Sequence, residues 1–187
     1  QTFAAGHDGA GLTAPALTWF LAEGATGSFF DLYLLIANPG TTDAAVSVKY
    51  LLPSGESFSK AYPVAAESRL TISVDGEDTR LSDTAVAMVV TSTNGQPVVV
   101  ERAMWWPSPL WYETHLAAGT TTTGTLWALA EGEMQTIAGQ DQKETYILIA
   151  NTAPTAGSAT VTLLVEDGAP VTLTVPLPAE SRVNVPT

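Results

Sequence analysis

Between Val46 and Leu52 the residue types alternate. Val46, Val48, Tyr50 and Leu52 fall on one parity, Ser47 and Lys49 on the other. A period of two predicts a half-exposed strand, because successive strand side chains point to opposite faces. Pro53-Ser54-Gly55 then predicts a turn into residues 57–64, where Phe58, Tyr62 and Val64 share a parity. Ser68–Val74 continues the alternation with Leu70, Ile72 and Val74 inward. Phe30–Asn38 is apolar on both parities (Leu32, Leu34 and Ile36; Tyr33, Leu35 and Ala37), which predicts a central strand covered on both faces. Asn38-Pro39-Gly40 ends it as a turn. Thr84–Ser92 and Val98–Trp106 flank Thr93-Asn94-Gly95-Gln96. Asn-Gly accepts the positive φ of a type I′ turn, so these two runs predict a hairpin, with Pro97 at a strand end or sheet edge. No stretch of ten or more residues keeps a 3.6-residue period with caps. Short strands between Gly, Pro and Asn turns predict an all-β sandwich, about seven strands in about 107 residues, of immunoglobulin-like architecture.

The pattern occurs twice. Trp19-Phe20-Leu21-Ala22-Glu23-Gly24 returns 108 positions later as Trp127-Ala128-Leu129-Ala130-Glu131-Gly132. Tyr33–Asn38 returns 113 positions later as Tyr146–Asn151, and that offset carries Gly55 to Gly168 and Pro63 to Pro176. It also carries Glu67-Ser68-Arg69 to Glu180-Ser181-Arg182. Upstream, His7 falls on His115 and Gly11 on Gly119. A period of about 110 residues is the size of a domain and too long for a solenoid repeat. Three pieces follow. Residues 1–17 are an extended segment, either the tail of a preceding repeat or a donor strand. Residues 18–124 are a complete β-sandwich module. Residues 125–187 are a second module in which nothing corresponds to 84–106, so its final strands are missing.

Composition narrows the function. The chain has 187 residues, 45% of them hydrophobic, which excludes a disordered chain. A net charge of −12 argues against nucleic acid and anionic membrane surfaces, since both require basic patches. No apolar run approaches the ~18 residues of a spanning helix, so no membrane insertion is expected. There are 0 cysteines, hence no disulfide and no thiolate metal site. Gln1 carries neither Met nor leader, the expectation for a mature form or part of a longer chain.

Candidate chemistry is sparse. A nucleophile–base–orienter constellation finds no Cys and only His7 and His115 to work with. Paired glycosidase carboxylates could come from Glu23, Glu101 and Glu113. Yet Glu23 recurs as Glu131 inside a repeated motif, as Glu67 does with Glu180, and a residue that returns with its turn is explained by the turn. Glu67 and Arg69 predict an ion pair or backbone hydrogen bonds at a sheet corner. No phosphate-cradling loop or metal-spaced His pair occurs, so no catalytic residues and no cofactor are expected. Asp75, Glu77, Asp78 and Asp83 cluster within one loop and are the candidate calcium ligands. Their spacing is not that of an EF-hand, and a solvated turn is the competing reading. Trp105, Trp106, Trp111 and Tyr112 are the candidate ligand-binding surface, since aromatic faces stack on sugar rings. The alternative is that Trp105 or Trp106 plugs the end of the sandwich. Thr120, Thr121, Thr122, Thr123 and Thr125 form a linker and are candidate O-glycosylation sites.

The ordered series WFLAEG, YLLIANPG, VSVKYLLPSG, YPVAAESRLTISV and VAMVVTSTNGQPVVVERAMWW resembles a tandem β-sandwich repeat of large secreted or surface proteins of environmental bacteria. The resemblance spans nearly the whole chain. It implies export, a sandwich fold and a structural or adhesive role, with no catalytic residues. The expected function is a non-catalytic extracellular module that self-associates head to tail, completed by strand donation between copies. Adhesion to a polysaccharide through the aromatic cluster is the alternative.

Overall fold

A computed structural model describes residues 6–7, 9–133, 135–137 and 139–186. Eight strands build the first module: β1 (Thr18–Leu21), β2 (Asp31–Asn38), β3 (Ala44–Leu51), β4 (Ser57–Val64), β5 (Ser68–Ser73), β6 (Ala87–Ser92), β7 (Val99–Trp106) and β8 (Glu113–Ala118). They form two four-stranded antiparallel sheets, ordered β1-β6-β3-β4 and β5-β2-β7-β8. The inward parity of each strand supplies the core between them. Leu32, Leu34 and Ile36 from β2 meet Val46, Val48 and Tyr50 from β3, all at 2% exposure or less. Trp19 fills the space beneath β1, and its indole Nε1 donates to Val98 O at 2.8 Å. The fully buried cluster draws its members from residues 19–104 alone, so the first module closes its own core.

The all-β sandwich is therefore as the alternation predicts, with differences in detail. The module has eight strands rather than seven. An immunoglobulin domain keeps its first two strands in one sheet. Here β1 and β2 lie in opposite sheets. Only one face of β2 is buried: Tyr33, Leu35 and Ala37 stay half-exposed, because its outer face is not covered by a further layer. The Asn-Gly segment joins no hairpin. β6 pairs with β1 and β3, β7 pairs with β2 and β8, and the turn carries the chain from one sheet to the other. The asparagine serves a different contact. Asn94 Oδ1 accepts from Ala45 N at 3.0 Å and Nδ2 donates to Asp43 O at 2.8 Å, pinning the turn to the start of β3. Pro97 has no N–H to extend a ladder, and Val98 instead exchanges backbone hydrogen bonds with Ala16.

The second copy contributes β9 (Gln135–Ile137) and β10 (Gln140–Lys143), which pair as a short ribbon, then β11 (Tyr146–Asn151), β12 (Gly157–Leu163), β13 (Val171–Leu177) and β14 (Ser181–Pro186). β11 pairs with β14 and β12 with β13. The repeat is conserved to the hydrogen bond. Tyr33↔Ser73 returns as Tyr146↔Pro186, and Ala44↔Val64 as Gly157↔Leu177. Asn38 Nδ2 donates to the carbonyls of Thr42, Val64 and Ala65, and Asn151 Nδ2 to those of Thr155, Leu177 and Pro178. Glu67 and Glu180 share a left-handed backbone, with φ of 49° and 47°. Their N–H groups donate to Gly40 O and Ala153 O. The predicted backbone-bonded sheet corner is thus present in both copies. Burial is not repeated. Trp127 is 61% exposed and Leu129 69%, where Trp19 and Leu21 are buried.

Candidate functional site

The aromatic residues collect around the loop that joins β7 to β8. Pro107 O accepts from Leu110 N and Trp111 N, both at 2.8 Å, and Ser108 N donates to Phe29 O at 2.8 Å. This folds the loop back over the start of β2. Trp111, at φ 51°, donates its indole N–H to Asp31 Oδ2 and lies 6.4 Å from Trp105, ring centre to ring centre. Neighbouring strand residues face opposite ways, so Trp106 goes to the other side. It packs on Phe30 at the edge of the core, centroids 5.8 Å apart, and donates to Glu113 Oε2 at 2.7 Å. Of the four predicted residues, Trp105 and Trp111 are brought together, Tyr112 stands beside them in the chain and exposed, and Trp106 takes the end-plug role. Phe29 and Leu110 are exposed on the same loop region and escaped the sequence reading. The Phe29-Phe30 pair ahead of β2 was the available signal. The surface offers two indoles tilted 57° to each other, Trp105 and Trp111, with Asp31 orienting Trp111.

The acidic loop disperses its carboxylates. Asp75 accepts from Gly27 N and Leu32 N at 3.2 and 3.0 Å, fixing the entry to β2. Glu77 receives Lys60 Nζ at 2.5 Å and Tyr62 OH at 2.6 Å. Burial pushes Glu77 up, but these donors hold its carboxyl below the usual range. Asp78 chelates Arg80 Nε and Nη2 and is held low by that hydrogen bonding. Asp83 packs against Gly27. Among the described residues no three His, Cys, Asp or Glu side chains converge on a point that could hold a metal. Thr120 exchanges backbone hydrogen bonds with Phe20 and belongs to the fold; Thr121, Thr122, Thr123 and Thr125 are exposed.

A polar cluster that the sequence reading did not assemble closes the gap between β1 and β8. Arg102 lies on the inward parity of β7, between Val100 and Met104, and is 1% exposed. Its guanidinium pairs with Glu23 and donates to His115 O at 3.2 Å and His115 Nδ1 at 2.9 Å. Because Arg only donates, the His115 proton sits on Nε2. Beside it, Arg182 of the second copy is 3% exposed, and its Nε donates to Ala22 O at 3.0 Å. Burial lowers both guanidiniums to about 10, and the charge of Arg182 adds to the effect on Arg102. Burial, then Arg102, then His7 lowers His115. A histidine whose folded value is depressed contributes stability above its unfolded value and loses it as protons are forced on. Acidification below pH 6.5 should therefore destabilise the first module more in wild type than in His115→Gln. Melting temperatures between pH 7 and 5 check this, and parallel profiles would refute it.

No protein-family profile matches this sequence, and no curated protein is similar to it. Among solved structures, the crystal structure of Thermotoga maritima 1070 is similar over 57% of this chain and 94% of its own, at 16% identity and a TM-score of 0.52. The Anabaena sensory rhodopsin transducer aligns over 49% of this chain and 86% of its own, at 23% identity and a TM-score of 0.42. At these identities the likeness to the Thermotoga protein is one of fold.

Proposed function

We propose that the chain is a non-catalytic structural module of an exported bacterial surface protein, made to associate end to end. The observation that carries this reading is the seating of the second copy on the first. Glu180, at the corner between β13 and β14, receives Lys49 Nζ at 2.5 Å and Ser57 Oγ at 2.7 Å. These donors hold its carboxyl below the usual range. The contact joins unlike faces of two copies of one unit, and such heterologous contacts build open filaments wherever the rotation between neighbours does not close a ring. Strand donation by residues 1–17 supplies the link between separate chains, with Ala16 and His7 exchanging their contacts to Val98 and His115 of their own chain for those of a neighbour. Electron microscopy of the purified chain tests the reading. Filaments are expected from the intact chain and should vanish when residues 1–17 are deleted. Monodisperse particles from both at high concentration would overturn it.

The exposed aromatic surface favours a second reading, adhesion to a polysaccharide. Trp111 at 44% and Tyr112 at 55% exposure leave ring faces open to solvent. Stacking one ring is worth roughly 1 kcal/mol. Trp111→Ala should therefore weaken retention on a glycan array about five- to tenfold, with far-UV circular dichroism unchanged. Equal retention by the variant would remove this surface from consideration.

A further inference from the structure

The two corners are built alike and used differently. The backbone at Glu180–Arg182 repeats that at Glu67–Arg69 in φ, in its asparagine bracket and in register. In the second copy this corner is covered: Ser181 is 0% and Arg182 3% exposed, and Glu180 is gripped by Lys49 and Ser57. Pro178 lies against the Gly55 turn of the first module, within ordinary contact of where a Gly55 Cβ would stand. In the first copy Glu67 and Arg69 are exposed, and among the described residues neither side chain has a partner. Ser68 keeps the internal bond to Ala65 O that Ser181 makes to Pro178 O. What differs is the presence of a neighbour, not the conformation.

The neighbour can be specified. The face that takes a Glu-Ser-Arg corner presents Lys49, Ser57 and the carbonyl of Ala22. At the positions matching Lys49 and Ser57 the second copy has Thr162 and Pro170, which bring neither the ammonium nor the hydroxyl. Only the first module offers the grip. The two surfaces also lie at opposite ends of the first sandwich. Asn38 ties the corner to Val64, which pairs with Ala44 at one end of the β3–β4 hairpin, whereas Ser57 pairs with Leu51 at the other. A unit with its corner at one end and its grip at the other adds head to tail, each copy leaving a free corner for the next.

We propose that the exposed Glu67–Ser68–Arg69 corner is a docking surface for a second copy of the first module, which receives it on the Lys49–Ser57 face. This rests on the reading that the modules stack. The chain holds 0 cysteines, so engineered pairs report directly. The control is Lys49→Cys with Glu180→Cys in the natural chain; the lost reach of the Lys and Glu side chains is made up by a short bismaleimide, which should bridge the two thiols within the chain. The test is a tandem chain, residues 1–125 followed by residues 18–187, which joins two first modules at the repeat offset. Tethering raises the effective concentration of the pair to about the millimolar range. Lys49→Cys in the leading module with Glu67→Cys in the following one should then crosslink at least ten times faster than Lys49→Cys with Thr79→Cys, an exposed position on the acidic loop. A control crosslink without the tandem one would overturn the proposal and leave stacking within the chain intact. Failure of the control would remove the template, and the proposal with it.

Discussion

Glu23→Ala should destabilise the first module by about 3 kcal/mol, because it strips the counter-charge from a guanidinium that cannot leave the interior. Arg102 is 1% exposed and stands on the core-facing parity of β7, with Val100 and Met104 as its strand neighbours. Its remaining partners, the carbonyl and Nδ1 of His115, are neutral acceptors that satisfy hydrogen bonds and leave the charge unbalanced. Arg182 approaches from the second copy with a like charge and lowers Arg102 further, which adds to the demand on Glu23. Partial exposure of the Glu23 side chain, 35%, sets the expectation at the low end of what breaking a buried pair costs. Urea unfolding followed by circular dichroism reads the loss as a lower midpoint at constant slope. Adding Arg102→Met should restore most of it, since a buried pair replaced by an apolar residue of similar length is close to neutral. Glu131→Ala, in the same motif of the second copy, should change little because Glu131 is exposed. A Glu23→Ala loss below about 0.5 kcal/mol would mean that Arg102 is charge-balanced by other means.

The residues that made the fold legible are those whose signal is local. Val46, Val48, Tyr50 and Leu52 alternate in the sequence because one face of β3 lies on the core, and the structure buries all four. The repeat was legible for the same reason. The side chains of Asn38 and Asn151 and the backbone N–H groups of Glu67 and Glu180 bond within a turn or across one pair of strands, so identity of sequence became identity of geometry. What escaped depends on partition between sheets. Asn94-Gly95 has the local chemistry of a hairpin turn, but both edges of β6 and both edges of β7 are taken by other strands, which no local pattern records. Arg102 was visible as a polar residue on an apolar parity. Its meaning needed Glu23 and His115, 79 and 13 residues away respectively, to be placed beside it. In the aromatic run, the sequence marked the four residues as one cluster, and only the fold of the loop separated Trp106 from Trp105 and Trp111. Identical corners with opposite burial were beyond any reading of the sequence, because the difference lies in the neighbour.

The same divergence between like sequences yields the largest expected contrast. Trp19 and Trp127 open matching motifs, yet Trp19 is 2% exposed and Trp127 61%. Trp19 sits between the sheets with its indole N–H on Val98 O, and the ring bridges β1 to the residue that precedes β7. Trp19→Ala removes that bond and opens a cavity flanked by fully buried side chains, at about 3–5 kcal/mol. A domain of this size is stable by only about 5–15 kcal/mol, so the variant should unfold at a markedly lower urea concentration or fail to fold at 37 °C. Trp127 donates to Gly124 O, three residues away, and its ring faces solvent. Trp127→Ala should therefore shift stability by no more than about 0.5 kcal/mol. Far-UV circular dichroism is the appropriate probe, since both substitutions alter the tryptophan fluorescence. Comparable losses in the two variants would contradict the exposed setting of Trp127 and require a cover over the opening segment of the second copy. A large loss at Trp19 alone would show that the repeated Trp-x-Leu-Ala-Glu-Gly motif acts as a core element only where β6 stands beside it to receive the strand.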